Sequence, residues 1–432
     1  MQSVDKSRVA GSLKGMIVGD ALSMPQHWFY SPTKMRAAYG HVSGMMAPKR
    51  THAESMVQGM SYDGSIDIMH DKAGFYAGAT AAEAAKKLSA ADIQKRRDDH
   101  GNFVGAEANE RIHYHASLKQ GQNTTNVCLA RVLMRCIAES NVDSSDLYTP
   151  DLYLQKMYTY MTTPPDPEDS AQLKAHNDVY MDVFLRGFFT NASKGLPLTA
   201  CALSQRQSWS IGSLDGVVMS IPMIAAYANE PEFFVLGRAV EHHMLTHRSV
   251  TVTASVTIVT HILHQLYRGS DLRETIEASA ETMCPPKVTG REMADSYVNH
   301  RGPGNIPKQE KWRQHMVLDE SETLMQLIRR CLDWDDEDVA GWGDRPNSRL
   351  STACYCEQTL STVLYLAYKY ADKPEEALLA NARIGGHSTA RGAVLGAILG
   401  AAHGDENVPF FDDICAPEAV KKEVAGLVAT LP

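Results

Sequence analysis

Two stretches near opposite ends of the chain carry glycine at every fourth position within apolar sequence. The first is GSLKGMIVGDALSMP, with Gly11, Gly15 and Gly19 on one stripe; the second is GGHSTARGAVLGAILGAAHG, with Gly392, Gly396, Gly400 and Gly404 on another. This spacing predicts two helices. Glycine inside a helix costs about 1 kcal/mol relative to alanine. The stripes therefore predict that the two helices bring their backbones together and so link distant parts of the chain.

Between the stripes, helical periodicity dominates. TNVCLARVLMRCIAES sets Val127, Ala130, Val132, Leu133 and Ile137 near one face. DVYMDVFLRGFFTNASKG reads as a helix ending near Asn191 or Gly195, and EPEFFVLGRAVEHHMLTH as another. In the apolar run from Gly216 to Tyr227, Pro222 is expected to kink or restart the helix. VTVTASVTIVTHILHQLYRG is rich in β-branched residues, but its length and i, i+4 pattern predict a buried helix. CEQTLSTVLYLAYKYADKPEEALLANA gives two helices broken at Lys373-Pro374. Alternating strand patterns are missing. The expectation is an all-α, compact single-domain bundle spanning 1–432, with two long insertions at about 31–118 and 285–350 that fold over one face.

Charge and composition narrow the function. The net charge is −9 with no lysine or arginine block, which argues against nucleic acid as a partner. The apolar run from Ala393 to Ala402 is ten residues, against the roughly 20 that a membrane span needs. No membrane association is expected. The eight cysteines show no CxxC spacing, and MQSVDKSRVAGS has no apolar secretory core. Reduced thiols and a cytoplasmic location are expected, with a small molecule as ligand and the oligomeric state left open.

Polar clusters adjoin both stripes. Asp20 follows the first, where it either bridges packed helices or faces a pocket. His27, Trp28, Phe29 and Tyr30 come next, an aromatic run suited either to stacking on a flat ring or to plain core packing. His387 and Ser388 precede the second stripe, where the positive helix end suits a neutral donor to a substrate phosphate or hydroxyl. His176, Asn177 and Asp178 form a polar triplet before a helix, and Asp178 is equally suited to N-capping VYMDVFLRGFF. Asp63 and Asp67 bracket a turn in YDGSID, where they serve either catalysis or local hydrogen bonding.

GMIVGDALSMP resembles the opening "G…GDALG.P" signature of the ADP-ribosylglycohydrolase family, and NARIGGHSTARGAVLGAILGAAHG resembles its closing "N.GGDtDT…aGai.GA..G" signature. SIGSLDGVVMSIPMIAAY and LTHRSVTVTASV look like two intervening family segments, in the same order. GDALSMPQHWFY, HNDVY and the ARG after GGHST look more like the selenoprotein J and jellyfish crystallin branch. The resemblance implies an all-α bundle that hydrolyses a glycosidic bond to ADP-ribose at a site with two magnesium ions. It also sets Asp215 in a pocket-facing segment; Asp215 and His247 are candidate catalytic groups beside Asp63 and Asp67, and His247 suits a satisfied place in the core as well. Arg391 of the closing motif joins Asp20, His27, Trp28, Tyr30, Asn123, Thr124, His176, Asn177, Asp178, His387 and Ser388 as expected ligand-binding residues.

The chain departs from the family at the metal positions. Where the family has "TDDT", it reads QNTTN, so Asn123 and Thr124 replace two carboxylates. In the closing motif His387 and Thr389 replace the two aspartates and Ala390 the threonine. Magnesium takes hard oxygen ligands, and imidazole suits zinc or copper better. The expectation is that the magnesium pair is absent and no other cofactor takes its place. Three functions remain: an altered hydrolase of a nucleotide or small heterocyclic glycoside, a non-catalytic ligand-binding or crystallin-like relative, and a metal-independent enzyme of another substrate class.

Overall fold

The computed structural model describes residues 3–55, 113–140, 148–163, 166, 168–178, 180–203, 212–282, 323–341 and 348–432. Most of both expected insertions, including Asp63 and Asp67, lies outside the described residues. Fifteen α-helices occur among the described residues, and the only strands there are a two-residue parallel pair, Ala340–Gly341 with Leu350–Ser351. The fold is all-α.

Three helices buried on nearly every side form the centre: α1 (Lys6–Ser23), α6 (Asp215–Ala226) and α14 (Ser388–His403). Helices with no polar face belong inside a bundle rather than on it. Around them lie α3 (Thr125–Ser140), α7 (Glu232–His243), α8 (Val250–Leu266), α12 (Cys356–Lys369), α13 (Pro374–Ile384) and α15 (Pro417–Val428). The remaining helices are α2 (Pro32–Tyr39), α4 (Pro150–Thr162), α5 (Val183–Ser193), α9 (Leu272–Thr282), α10 (Leu324–Arg330) and α11 (Asp336–Val339). Their apolar faces join one continuous buried cluster running from Val9 to Leu431.

The glycine stripes meet. The helices α1 and α14 run antiparallel, and Gly11 lies against Gly400, Gly15 against Gly396 and Gly19 against Gly392. A Cβ at any of the six would come within 3.0 Å of the opposite backbone. Gly404 differs: at φ +81 it caps α14 in a left-handed conformation.

Two local expectations are corrected. Pro222 does not restart its helix, because α6 runs through it from Asp215 to Ala226 with every residue buried. Packing on all sides outweighs one missing N–H. Asp178 is not the N-cap of α5; that residue is Asp182, which accepts from the N–H groups of Phe184 and Leu185. Asp178 stands further upstream, and its carboxylate is engaged elsewhere.

Candidate functional site

Three helix N-termini converge at one end of the bundle. Thr124 and Thr125 open α3, Asp215 is the first residue of α6, and His387 is the N-cap of α14. Free N–H groups and the positive ends of three helix dipoles point there, which favours anions. Three buried carboxylates occupy the place: Asp20, Asp178 and Asp215.

The backbone before His387 has little latitude. Gly385 (φ +66) and Gly386 (φ +65) are both left-handed, and a Cβ on either would strike the carbonyl of Phe29 or of Thr352. Gly386 N–H donates to Phe29 O at 2.6 Å, and Trp28 N–H donates to Gly386 O at 2.7 Å. Trp28 itself sits at φ +69, a conformation few non-glycine residues adopt. This double bridge fixes His27 beside His387.

The result is an unbroken row of buried side chains. Asp178 Oδ1 lies 2.9 Å from His115 Nδ1, and His115 Nε2 lies 2.6 Å from His27 Nδ1. His27 Nε2 lies 2.9 Å from His387 Nδ1, and His387 Nε2 lies 3.0 Å from Asp215 Oδ2. Asn126 Nδ2 donates to the other oxygen of Asp215. Thr125 N–H and hydroxyl lie within hydrogen-bond reach of Asp178 Oδ2. Burial opposes ionisation of Asp215, yet His387 beside it and hydrogen bonds hold its carboxyl below the ordinary 3.8. Burial, together with His115 and His387 on either side, pushes His27 far below its usual value, so His27 is a neutral ring.

Two more histidines clamp this row from outside. His113 Nδ1 accepts from the His115 N–H, leaving Nε2–H to donate to Pro25 O at 2.9 Å. His52 Nδ1 accepts from the Glu54 N–H, leaving Nε2–H for His27 O at 3.0 Å. Their tautomers follow from these partners.

Asp20 makes a second cluster within electrostatic reach of His115. Its Oδ2 accepts from Asn123 Nδ2 at 3.0 Å and Thr124 N–H at 2.8 Å, and its Oδ1 accepts from Thr124 Oγ1 at 2.6 Å. Burial nevertheless pushes its pKa up to about 6, against these hydrogen bonds. A carboxyl whose folded pKa exceeds its unfolded one favours the fold most when protonated. That stability is present below about pH 4 and is lost as pH rises through about 6, a change of about 3 kcal/mol. Asp20→Asn keeps an acceptor for Asn123 and Thr124 and cannot ionise. Denaturation measured from pH 4 to 7 is therefore expected to show a shallower fall in stability for this variant than for wild type.

The other expected residues fall around these two clusters. Trp28 lies 5.2 Å from Tyr114, 5.8 Å from Tyr180 and 6.4 Å from Tyr30 between ring centroids, and Tyr114 lies 5.4 Å from Tyr180. These rings pack on one another above the row, with Trp28, Tyr30 and Tyr180 partly exposed. His247 lies beside the start of α6, its Nε2 3.2 Å from Asp182 Oδ1, and only glycine at 216 leaves room for its ring. Arg391 and Ser388 face the interior: Arg391 donates to Asn381 and to Gly385 O, and Ser388 Oγ to Ser23 O. Asn177 joins Gln122 and Gln172 in a loop network, and His176 is buried near Tyr160.

Sequence reasoning missed His115, Tyr114, His113, His52, Asn126, Tyr180 and Asp182. The available signal was His113-Tyr114-His115, a dense aromatic and titratable triplet just upstream of α3, which the insertion reading absorbed.

The sequence profile of the ADP-ribosylglycohydrolase family matches residues 1–416. No curated protein matches the chain. Among solved structures, an "ADP-ribosylglycohydrolase-related protein complex" is similar at 12% identity and a TM-score of 0.47, covering 98% of each chain. Among the described residues no helix is long and apolar enough to cross a membrane. The profile spans nearly the whole sequence, and the chain belongs to the ADP-ribosylglycohydrolase family.

Proposed function

We propose that this chain hydrolyses a glycosidic bond in a nucleotide-type substrate, with Asp215 and His387 supplying the acid–base chemistry that magnesium supports elsewhere in the family. The carrying observation is the buried Asp215–His387 contact at 3.0 Å, at the meeting of three helix N-termini and below partly exposed aromatic rings.

The donor set does not fit a magnesium pair. The Asn123 amide and Thr124 hydroxyl are turned toward Asp20, and both Asp20 oxygens are occupied by them. Both ring nitrogens of His387 are taken, by His27 and Asp215. Among the described residues no group of three or more histidine, cysteine or acidic side chains has metal-binding geometry. No step is routed through a metal here. Asp215, ionised at neutral pH, takes a proton from the attacking water. The water oxygen bonds to the sugar carbon as the bond to the leaving group breaks; the leaving group takes the His387 Nε2 proton, and Asp215 returns to that nitrogen, across 3.0 Å, the proton it took from the water.

One observation favours a second reading, a non-catalytic ligand-binding relative: both Asp215 oxygens are already hydrogen-bonded within the protein. A single experiment separates the two. The protein is incubated with ADP-ribosyl-arginine and ADP-ribosyl-serine peptides and with a panel of nucleosides, in magnesium and in EDTA. Release of sugar or base at equal rates in both, and its loss in Asp215→Asn, is the expected result. Turnover confined to magnesium overturns the metal-free chemistry. Binding of ADP-ribose without turnover of any substrate supports the second reading.

A further inference from the structure

The row Asp178–His115–His27–His387–Asp215 contains four contacts between hydrogen-bonding atoms, each at 2.6 to 3.0 Å. Every contact needs one proton between its two atoms, since two lone pairs or a lone pair and a carboxylate repel at that distance. Three neutral imidazoles bring only three. The rings lie at most 2% exposed, so water is poorly placed to relieve a mismatch.

We infer that the row holds a fourth proton, shared between its two ends, and that Asp178, His115 and His27 are positioning residues acting through His387 on Asp215. This rests on the catalytic reading of Asp215 for its purpose, though not for its protonation.

With both aspartates ionised and His27 carrying one proton, the row allows two arrangements. In one, His387 carries protons on both nitrogens, His27 carries one on Nδ1 and His115 one on Nδ1. In the other, His115 carries both, His27 one on Nε2 and His387 one on Nε2. Each fills all four contacts. They interconvert when the His387 Nδ1 proton crosses to His27 Nε2 while the His27 Nδ1 proton crosses to His115 Nε2. Two protons move within existing hydrogen bonds, no proton enters or leaves, and one positive charge passes from the Asp215 end to the Asp178 end. The ring in the middle stays neutral in both, as its depressed basicity requires.

The two ends are matched. Each terminal ring faces a buried aspartate, and each aspartate is held by a group from the start of α3, Thr125 at Asp178 and Asn126 at Asp215. Asp215 favours the charge on His387, whereas the positive end of α14, which His387 caps, disfavours it. Breaking a glycosidic bond builds positive charge on the sugar. Withdrawing the row's charge toward Asp178 at that moment leaves Asp215 free to face the developing cation. Its return accompanies proton release by Asp215, which restores the carboxylate beside His387.

The test uses the full-length protein with 15N-labelled histidine, read by imidazole nitrogen shifts and by the low-field ring N–H protons. Wild type is expected to show four ring protons over His27, His115 and His387, with His27 singly protonated and the one positive charge averaged over the terminal rings. Asp178→Asn is expected to alter the protonation of His387, and Asp215→Asn that of His115, each at the opposite end of the row. Three singly protonated rings in wild type, or terminal rings indifferent to the distant substitution, overturn the inference. If one variant fails to fold, the wild-type proton count and the other variant decide. The signals are independent of turnover: a full row in a protein that hydrolyses nothing overturns the proposed function alone, and an active protein with three ring protons overturns the row alone.

Discussion

Gly15→Ala is expected to destabilise the protein by at least about 3 kcal/mol, read as a loss of folded protein in chemical denaturation. Helix propensity alone predicts the opposite sign, a gain of about 1 kcal/mol. The structure decides between them, because the added methyl lands on the carbonyl of Gly396 and no flexible side chain lies there to yield. Relief requires α1 and α14 to separate, and the Gly11–Gly400 and Gly19–Gly392 contacts then open too. Gly237→Ala is the control. Gly237 is an exposed position within α7 with nothing within 4 Å of where a Cβ would lie, so stabilisation by about 0.5–1 kcal/mol is expected. Opposite signs from one chemical change would assign the effect to interhelical contact; equal gains at both positions would refute the packing described for α1 and α14.

That contact was legible in the sequence because it is periodic. Four-residue glycine spacing on two apolar helices has few meanings once length excludes a membrane. Helices α3, α7, α8, α12 and α13 were legible for the same reason. Legibility ends where a contact has no local pattern. The link from His27 to His115 spans 88 residues and that from His27 to His387 spans 360. Nothing at position 27 distinguishes a ring bound for the core from one bound for a ligand. Asp178 and Asp182 illustrate the same limit: either could cap the helix after them, and the choice depends on His115 and Thr125, which lie far away in sequence. The departures expected at the family's metal positions were visible residue by residue, but the partners of those side chains were not. Asn123 and Thr124 both serve Asp20, which turns positions expected to lie open to a ligand into a closed hydrogen-bonded group.

Asp215→Asn is expected to lower kcat by about 100- to 10,000-fold with little change in KM. The carboxylate is 2% exposed and asparagine has its shape, so the change takes away a base and leaves the surface around it as it was. Stability should change separately. Asn126 and His387 both approach this side chain as donors, and an amide offers only one oxygen. One donor then faces an NH2 group, at a cost of about 1–3 kcal/mol, which denaturation curves measure directly. The pH profile divides chemistry from folding. Because the Asp215 carboxyl is held below 3.8, it stays ionised through the weakly acidic range. In wild type kcat/KM is expected to hold as pH falls toward 4 and to drop only below it, as the base is protonated. In the asparagine variant the residual rate should lack that acid limb. An acid limb near pH 6 in wild type would instead point to Asp20, whose buried carboxyl titrates at about 6, and would move the base from the start of α6 to the end of α1.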